Sequence, residues 1–121
     1  MTILSIKFKL KNLETIGSTG SPLIHESFDY IYTNVKKDVS VASLSGGTDI
    51  VGCFIGGNPM SVVRRGEIQG PILGMDVHVY DENANSLKNE KGELVCIKSF
   101  PSMPLYFWND NNNKKYHDAY F

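Results

Sequence analysis

No apolar run in this sequence of 121 residues approaches the roughly 20 needed to span a bilayer. The opening MTILSIKFKLKN alternates apolar and polar residues and lacks the apolar block of a signal peptide. Charge of one sign is lacking too. Lys and Arg total 12 against 13 for Asp and Glu, a formal charge of -1, so neither nucleic acid nor an anionic membrane surface is an expected partner. Cysteine is scarce: Cys53 and Cys96 lie far apart in the apolar settings GCFIG and LVCIK, which suits free, buried thiols in a reducing compartment rather than a disulfide framework. Cytoplasm is the expected location. His25, His78 and His117 show no metal-ligand spacing and read as surface or strand-face residues. No internal repeat is present, and the length allows one domain with a modest core.

What is there divides into two halves, about 13–60 and about 61–121. Ile3 to Leu10 reads as a strand or an irregular leader, and Leu13 to Gly17 as a short strand ending in the polar turn GSTGSP. From Pro22, PLIHESFDYIYTNVKK puts Leu23, Phe28, Ile31, Tyr32 and Val35 largely on one helical face, with Pro22 suited to the first turn and lysines near the last. VSVASLS follows as a buried strand. The first half is thus a βαβ-like unit, and the fold class is α/β. In the second half, Met75 to Tyr80 and Glu93 to Ile97 alternate around a polar connection, which predicts a small antiparallel β unit. NDNNNKKYHDAYF predicts an Asn-rich loop capping a helix from about Lys114, with Tyr120 and Phe121 left for something further along to cover.

The residues that carry chemistry sit at the two Gly-rich corners. In an open α/β sheet, ligands bind beyond the carboxyl ends of the strands, where both GSTGSP and SGGTD fall. Glycine lets backbone approach a ligand, Ser and Thr hydroxyls donate to phosphate oxygens, and an Asp carboxylate is a hard ligand for Mg²⁺. Neither motif meets the stricter phosphate-loop patterns, because no Lys-Ser or Lys-Thr follows GSTGSP and no G-x-G-x-x-G opens a helix. On spacing alone, tight turns whose polar side chains bond their own backbone are the simpler account. Arg64 and Arg65 are a possible anion contact but read better as a solvated loop pair, Glu93 as a strand-start carboxylate, and the cluster Phe100, Tyr106, Phe107 and Trp108 as core.

Taken in order, GSTGSPL, SGGTDI, FIGGNP, RRGEIQGPILGMDV, KGELVCIKSFPSMPLYFWND and KKYHDAYF resemble the acyl-activating, adenylate-forming enzymes, and among them the acetoacetyl-CoA synthetases. The resemblance runs from about Leu13 to Phe121. It implies a ligase that joins acetoacetate to AMP from ATP and then passes the acyl group to CoA. Gly20, Ser21 and Pro22 then border the adenine, and Ser45 to Asp49, with Ser45 and Gly47 at the nucleotide, form the strand-end motif that in the wider family ends Thr-Glu. Thr48 takes the catalytic role at the α-phosphate. Asp49, one methylene shorter than that Glu, holds Mg²⁺, either closely or through water. Gly46 stands where acetyl-CoA synthetases carry a tryptophan that closes the acyl pocket, and its small size is the direction needed to admit a four-carbon β-keto acid.

The resemblance also implies a loop gripping the β and γ phosphates, a ribose-binding aspartate, a hinge and a domain with a catalytic lysine, and none falls within this sequence. An internal fragment of the large N-terminal domain, inactive alone and partnered by the remainder of a synthetase chain, is expected. Two alternatives stand beside it: a relic that serves as a binding or interaction module, and a synthetase for another short-chain acid.

Overall fold

A computed structural model describes residues 8–121, so most of the reading of Ile3 to Leu10 lies outside the described residues; Phe8 to Leu10 are not in a strand. The first strand, β1 (Thr15–Ser18), pairs in parallel with β2 (Ser40–Ser43) in the register Thr15↔Ser40 through Ser18↔Ser43. Between them runs α1 (His25–Tyr30), which passes into a π-helical turn over Ile31–Val35. The βαβ reading holds, with one correction. The helix begins later than Pro22 and ends before the lysines, because the Lys36 N–H reaches back five residues to the Ile31 carbonyl at 3.0 Å and the chain then turns extended. Lys36 instead donates through Nζ to the Leu13 carbonyl at 2.7 Å, tying the end of the crossover to the start of β1.

The core sits under this parallel pair. Phe28, Val39 and Val41 are buried, and Leu13, Ile16, Leu23, Ile31, Tyr32 and Val63 pack around them. The apolar face expected of the helix is thus the face it buries. Strand β2, one of the two strands of this parallel pair, is buried on both faces along Val41, Ala42 and Ser43.

After Leu44 the chain changes sheets. Strands β3 (Ser45–Gly47), β4 (Gly52–Gly56) and β5 (Gly70–Pro71) form an antiparallel sheet in that order, with an irregular register between Ser45 and Gly46. This sheet runs across residue 60. The SGGTD corner is therefore a hairpin of its own and not merely the end of a buried strand. Farther on, β6 (Val77–Tyr80) and β7 (Glu93–Cys96) pair antiparallel, as the alternation predicts. Cys53 and Cys96 are free, half-buried thiols.

The open end of the β6–β7 hairpin is closed by charge. Asp76 accepts from Lys98 Nζ at 2.8 Å and from His78 Nε2 at 2.9 Å. The hydrogen bond from the Lys98 ammonium, then that from His78, holds the Asp76 carboxyl below the usual carboxylate range. A carboxyl depressed by folding contributes stability above its unfolded pKa, about 3.9, and that contribution is lost as pH falls through the folded value. Protection factors across β6 and β7, taken against the intrinsic exchange rate at each pH, should therefore fall below about pH 4, and Asp76→Asn should remove that acid step. An unchanged acid step in the variant would assign it to another group.

The terminal helix α2 (Lys114–Tyr120) follows a 3₁₀ turn at Asn111–Asn113. The Asn-rich loop NDNNN caps it as expected, through its aspartate: Asp110 Oδ1 accepts from the Lys115 N–H at 3.0 Å and Oδ2 from the Tyr116 N–H at 2.8 Å. Asn112 and Asn113 instead take left-handed backbone conformations, which Asn tolerates better than most residues. A second correction concerns the aromatic cluster. Trp108 is 85% exposed and Tyr106 60%, so only Phe100 and Phe107 of the four are inward. Phe100 meets Phe54 edge-on at 5.7 Å, and Phe107 meets Tyr116 and Tyr120. In all, the chain presents 9596 Å² to solvent, against about 6500 Å² for a folded monomer of this mass.

Candidate functional site

Parallel pairing of β1 with β2 puts their carboxyl ends side by side, so the loops that leave them must face one another. Ser18 stands opposite Ser43, and the Leu44 N–H donates to the Ser18 carbonyl at 2.8 Å, extending the pairing one step past the strands. Beyond that last bond the chains diverge around a cavity of about 360 Å³. One wall is Thr19, Gly20, Ser21 and Pro22; the other is Ser43, Leu44, Ser45 and Gly46. The two Gly-rich corners are thus two sides of a single cavity. Its volume falls in the lower part of the range of small-molecule sites, and its polar groups are hydroxyls and backbone. Gly20 has φ +87, a conformation in which a side chain is strained, and a Cβ there would meet no atom within 4 Å. Its need for glycine is conformational.

Gly46 is constrained differently. A Cβ at this position would fall on the Gly52 carbonyl oxygen and the backbone of Cys53, so strand pairing fills the space a side chain would take. The hairpin supplies its own reason for glycine here, separate from an opened acyl pocket. Gly47, by contrast, has room, with the nearest atom, Ile50 Cγ1, at 3.9 Å.

Gly47, Thr48 and Asp49 do not line the 360 Å³ cavity. Thr48 and Asp49 lie at the β3–β4 tip, both exposed, in a turn closed by the Val51 N–H donating to the Thr48 carbonyl at 3.1 Å. The tip is held from beneath, because Ile50 is fully buried. Asp49 is held from the side: Tyr120 of α2 donates its hydroxyl to Asp49 Oδ2 at 2.7 Å. That bond, with some burial, pushes the Tyr120 phenol up to about 12.

Sequence reasoning missed three contributors. Gly66 and Ile68, from RRGEIQG, complete the cavity, and Tyr120 reaches Asp49 across 71 positions. For the first two the motif itself was a signal; for Tyr120 there was none. The arginines stay outside: Arg65 pairs with Asp29 at 2.8 Å, and Arg64 lies 4.0 Å from Glu67, both largely exposed. The described residues contain no group of three His, Cys, Asp or Glu able to hold a metal, and no helix among them is long and apolar enough to cross a membrane. Asp49 can therefore offer Mg²⁺ one hard oxygen. Mg²⁺ commonly takes one or two carboxylates and completes its octahedron with phosphates and water, so this donor fits.

No protein-family profile matches the chain. Individual proteins do. The acetoacetyl-coenzyme A synthetase of Rhizobium meliloti is 54% identical over 112 residues, covering 93% of this chain and 17% of that protein. The Xenopus tropicalis acetoacetyl-CoA synthetase is 49% identical over the same shares. In three dimensions the chain superposes on the acetoacetyl-CoA synthetase from Streptomyces lividans with a TM-score of 0.87 and 39% identity, covering 97% of this chain and 19% of that one. The chain matches one segment of the acetoacetyl-CoA synthetases. It spans about one-sixth of the length of these synthetases. The segment's fold extends beyond the acetoacetyl-CoA synthetases: an anthranilate CoA ligase, AuaEII, solved with anthranoyl-AMP, shares it at a TM-score of 0.72 and 16% identity. The structure is thus a mixed α/β piece of the adenylate-forming ligase fold, as the sequence resemblance implies.

Proposed function

We propose that the chain is the part of an acetoacetate–CoA ligase that borders the nucleotide and the acyl group. The observation that carries this reading is the convergence of Thr19–Pro22 from GSTGSP and of Ser45 and Gly46 on one cavity, in a chain 54% identical to a named acetoacetyl-CoA synthetase. In the reaction, a carboxylate oxygen of acetoacetate attacks the α-phosphorus of ATP, the bond to the β-phosphate oxygen breaks, and pyrophosphate leaves with the electron pair. The CoA thiolate then attacks the acyl carbon, and AMP departs with its oxygen.

Each residue has a physical task in this scheme. Gly20, Ser21 and Pro22 form the wall against the adenine, with the Ser21 hydroxyl available as donor. Ser45 and the Gly46–Gly47 backbone lie between nucleotide and acyl group, and Gly46 forms the acyl wall without a side chain. Thr48, exposed at the hairpin tip, donates its hydroxyl to an α-phosphate oxygen, where negative charge grows as the phosphorus becomes five-coordinate. Asp49 holds Mg²⁺, which when bound neutralises phosphate charge. ATP and CoA are co-substrates, the rest of the ligase polypeptide is the partner, neither nucleic acid nor membrane is involved, and the cytoplasm is the setting.

Thr48→Ala in the full-length ligase polypeptide tests the assignment. Loss of one donor to the developing oxyanion should lower acetoacetate-dependent ATP–pyrophosphate exchange about 100-fold. Because Thr48 is exposed, the circular dichroism and melting profile should stay unchanged. Exchange at the wild-type rate would remove Thr48 from the chemistry.

A further inference from the structure

Among the described residues, one contact that the proposed reaction leaves unused joins the terminal helix to the hairpin tip. Tyr120 is fixed on its helix by neighbours, not by chance exposure: its ring lies 5.8 Å from Phe107 and 5.4 Å from Tyr116, and Tyr116 in turn donates its hydroxyl to the Pro104 carbonyl at 2.6 Å. Asp110 caps the same helix. The hairpin tip is constrained as well. Val51 has φ +49, a conformation a β-branched residue adopts only when its surroundings over-determine it, and Ile50 beside it is fully buried.

We propose that Tyr120 is a positioning residue that orients the Asp49 carboxylate toward the metal–phosphate group, an inference that rests on the metal role given to Asp49 above. The bond at 2.7 Å occupies Oδ2 and leaves Oδ1 free for a cation. An exposed aspartate otherwise samples several rotamers, and a hydroxyl donor selects one of them. A phenol does so without positive charge, whereas a lysine in its place would neutralise the carboxylate and compete with the cation. With an Asp shorter than the usual Glu, the carboxylate has less reach, and its orientation matters more.

The test uses the full-length protein, with Mn²⁺ as a spectroscopic substitute for Mg²⁺ and ATP present. In Tyr120→Phe, Mn²⁺ affinity read by electron paramagnetic resonance should fall about tenfold, near the lower end for a hydrogen bond to a charged group. The Mg²⁺ concentration giving half-maximal pyrophosphate exchange should rise by the same factor, with kcat at saturating Mg²⁺ unchanged. Tyr106→Phe, which removes an exposed phenol hydroxyl away from the Asp49 contact, should leave both readings alone. Unchanged or tighter Mn²⁺ binding in Tyr120→Phe would overturn the proposal, as would an equal effect from Tyr106→Phe. If Asp49→Asn itself leaves Mn²⁺ binding intact, the metal role of Asp49 fails and the proposal with it. A loss in Asp49→Asn but none in Tyr120→Phe removes Tyr120 alone.

Discussion

Replacing Gly46 by alanine is expected to open the β3–β4 hairpin. The added methyl would meet the Gly52 carbonyl oxygen and the Cys53 backbone, and neither can swing aside as a side chain does. Overpacking typically costs 1–3 kcal/mol, and here the cost should reach about 3 kcal/mol because strand pairing itself must yield. Amide exchange over residues 45–56 should accelerate accordingly. Gly47→Ala is the control: its methyl finds Ile50 Cγ1 at 3.9 Å, an ordinary contact, and the change should stay within about 0.5 kcal/mol. The comparison separates two explanations of the same glycine. If Gly46→Ala keeps its exchange protection and alters only the preference for acetoacetate over acetate, pocket size is the reason for glycine and the hairpin is not.

Phe28→Ala should be the most damaging change in the core. Phe28 is 1% exposed and packs from α1 against Val39 and Val41 beneath the parallel pair. Loss of a buried phenyl ring costs about 3–5 kcal/mol through lost transfer energy and the void left behind. Urea denaturation followed by circular dichroism should show a correspondingly lower midpoint, with Phe28→Leu between the two. A shift below about 1 kcal/mol would mean that the site collapses around the deletion or that the crossover is not held by this ring.

Much of this arrangement was legible because it depends on near neighbours in the chain. The buried run VSVASLS marked β2, alternation marked β6 and β7, and Lys114 was the right start for α2. The apolar stripe through Phe28 and Ile31 fixed which face of the crossover is buried. The π turn was not legible, since it changes one hydrogen bond, Lys36 to Ile31, and leaves the stripe almost as it was. Trp108 and Tyr106 were misassigned to the core for a general reason: apolar residues fill interiors, yet many also remain at surfaces, so composition alone cannot sort them.

At the site, the convergence of Thr19–Pro22 with Ser45 and Gly46 followed from strand direction, a local property. The Asp49 contact with Tyr120 did not, because it depends on how α2 docks on a hairpin 71 positions earlier. The steric demand at Gly46 was hidden for a related reason. A glycine in sequence reports that a side chain is absent, and only the partner strand reveals what occupies its place.

The parallel pair has one further consequence. Its last rung pairs Ser18 with Ser43, and Ser43 also lines the cavity between the two loops. A ligand that touches both loops therefore bridges the same two chain segments that the strand pairing joins, and folding and occupancy become linked equilibria. At a ligand concentration of 100 times Kd, binding adds about 2.7 kcal/mol to the stability of the folded form. That is comparable to losing a core side chain, so a ligand held in this cavity would stabilise the βαβ unit on the scale of one buried residue.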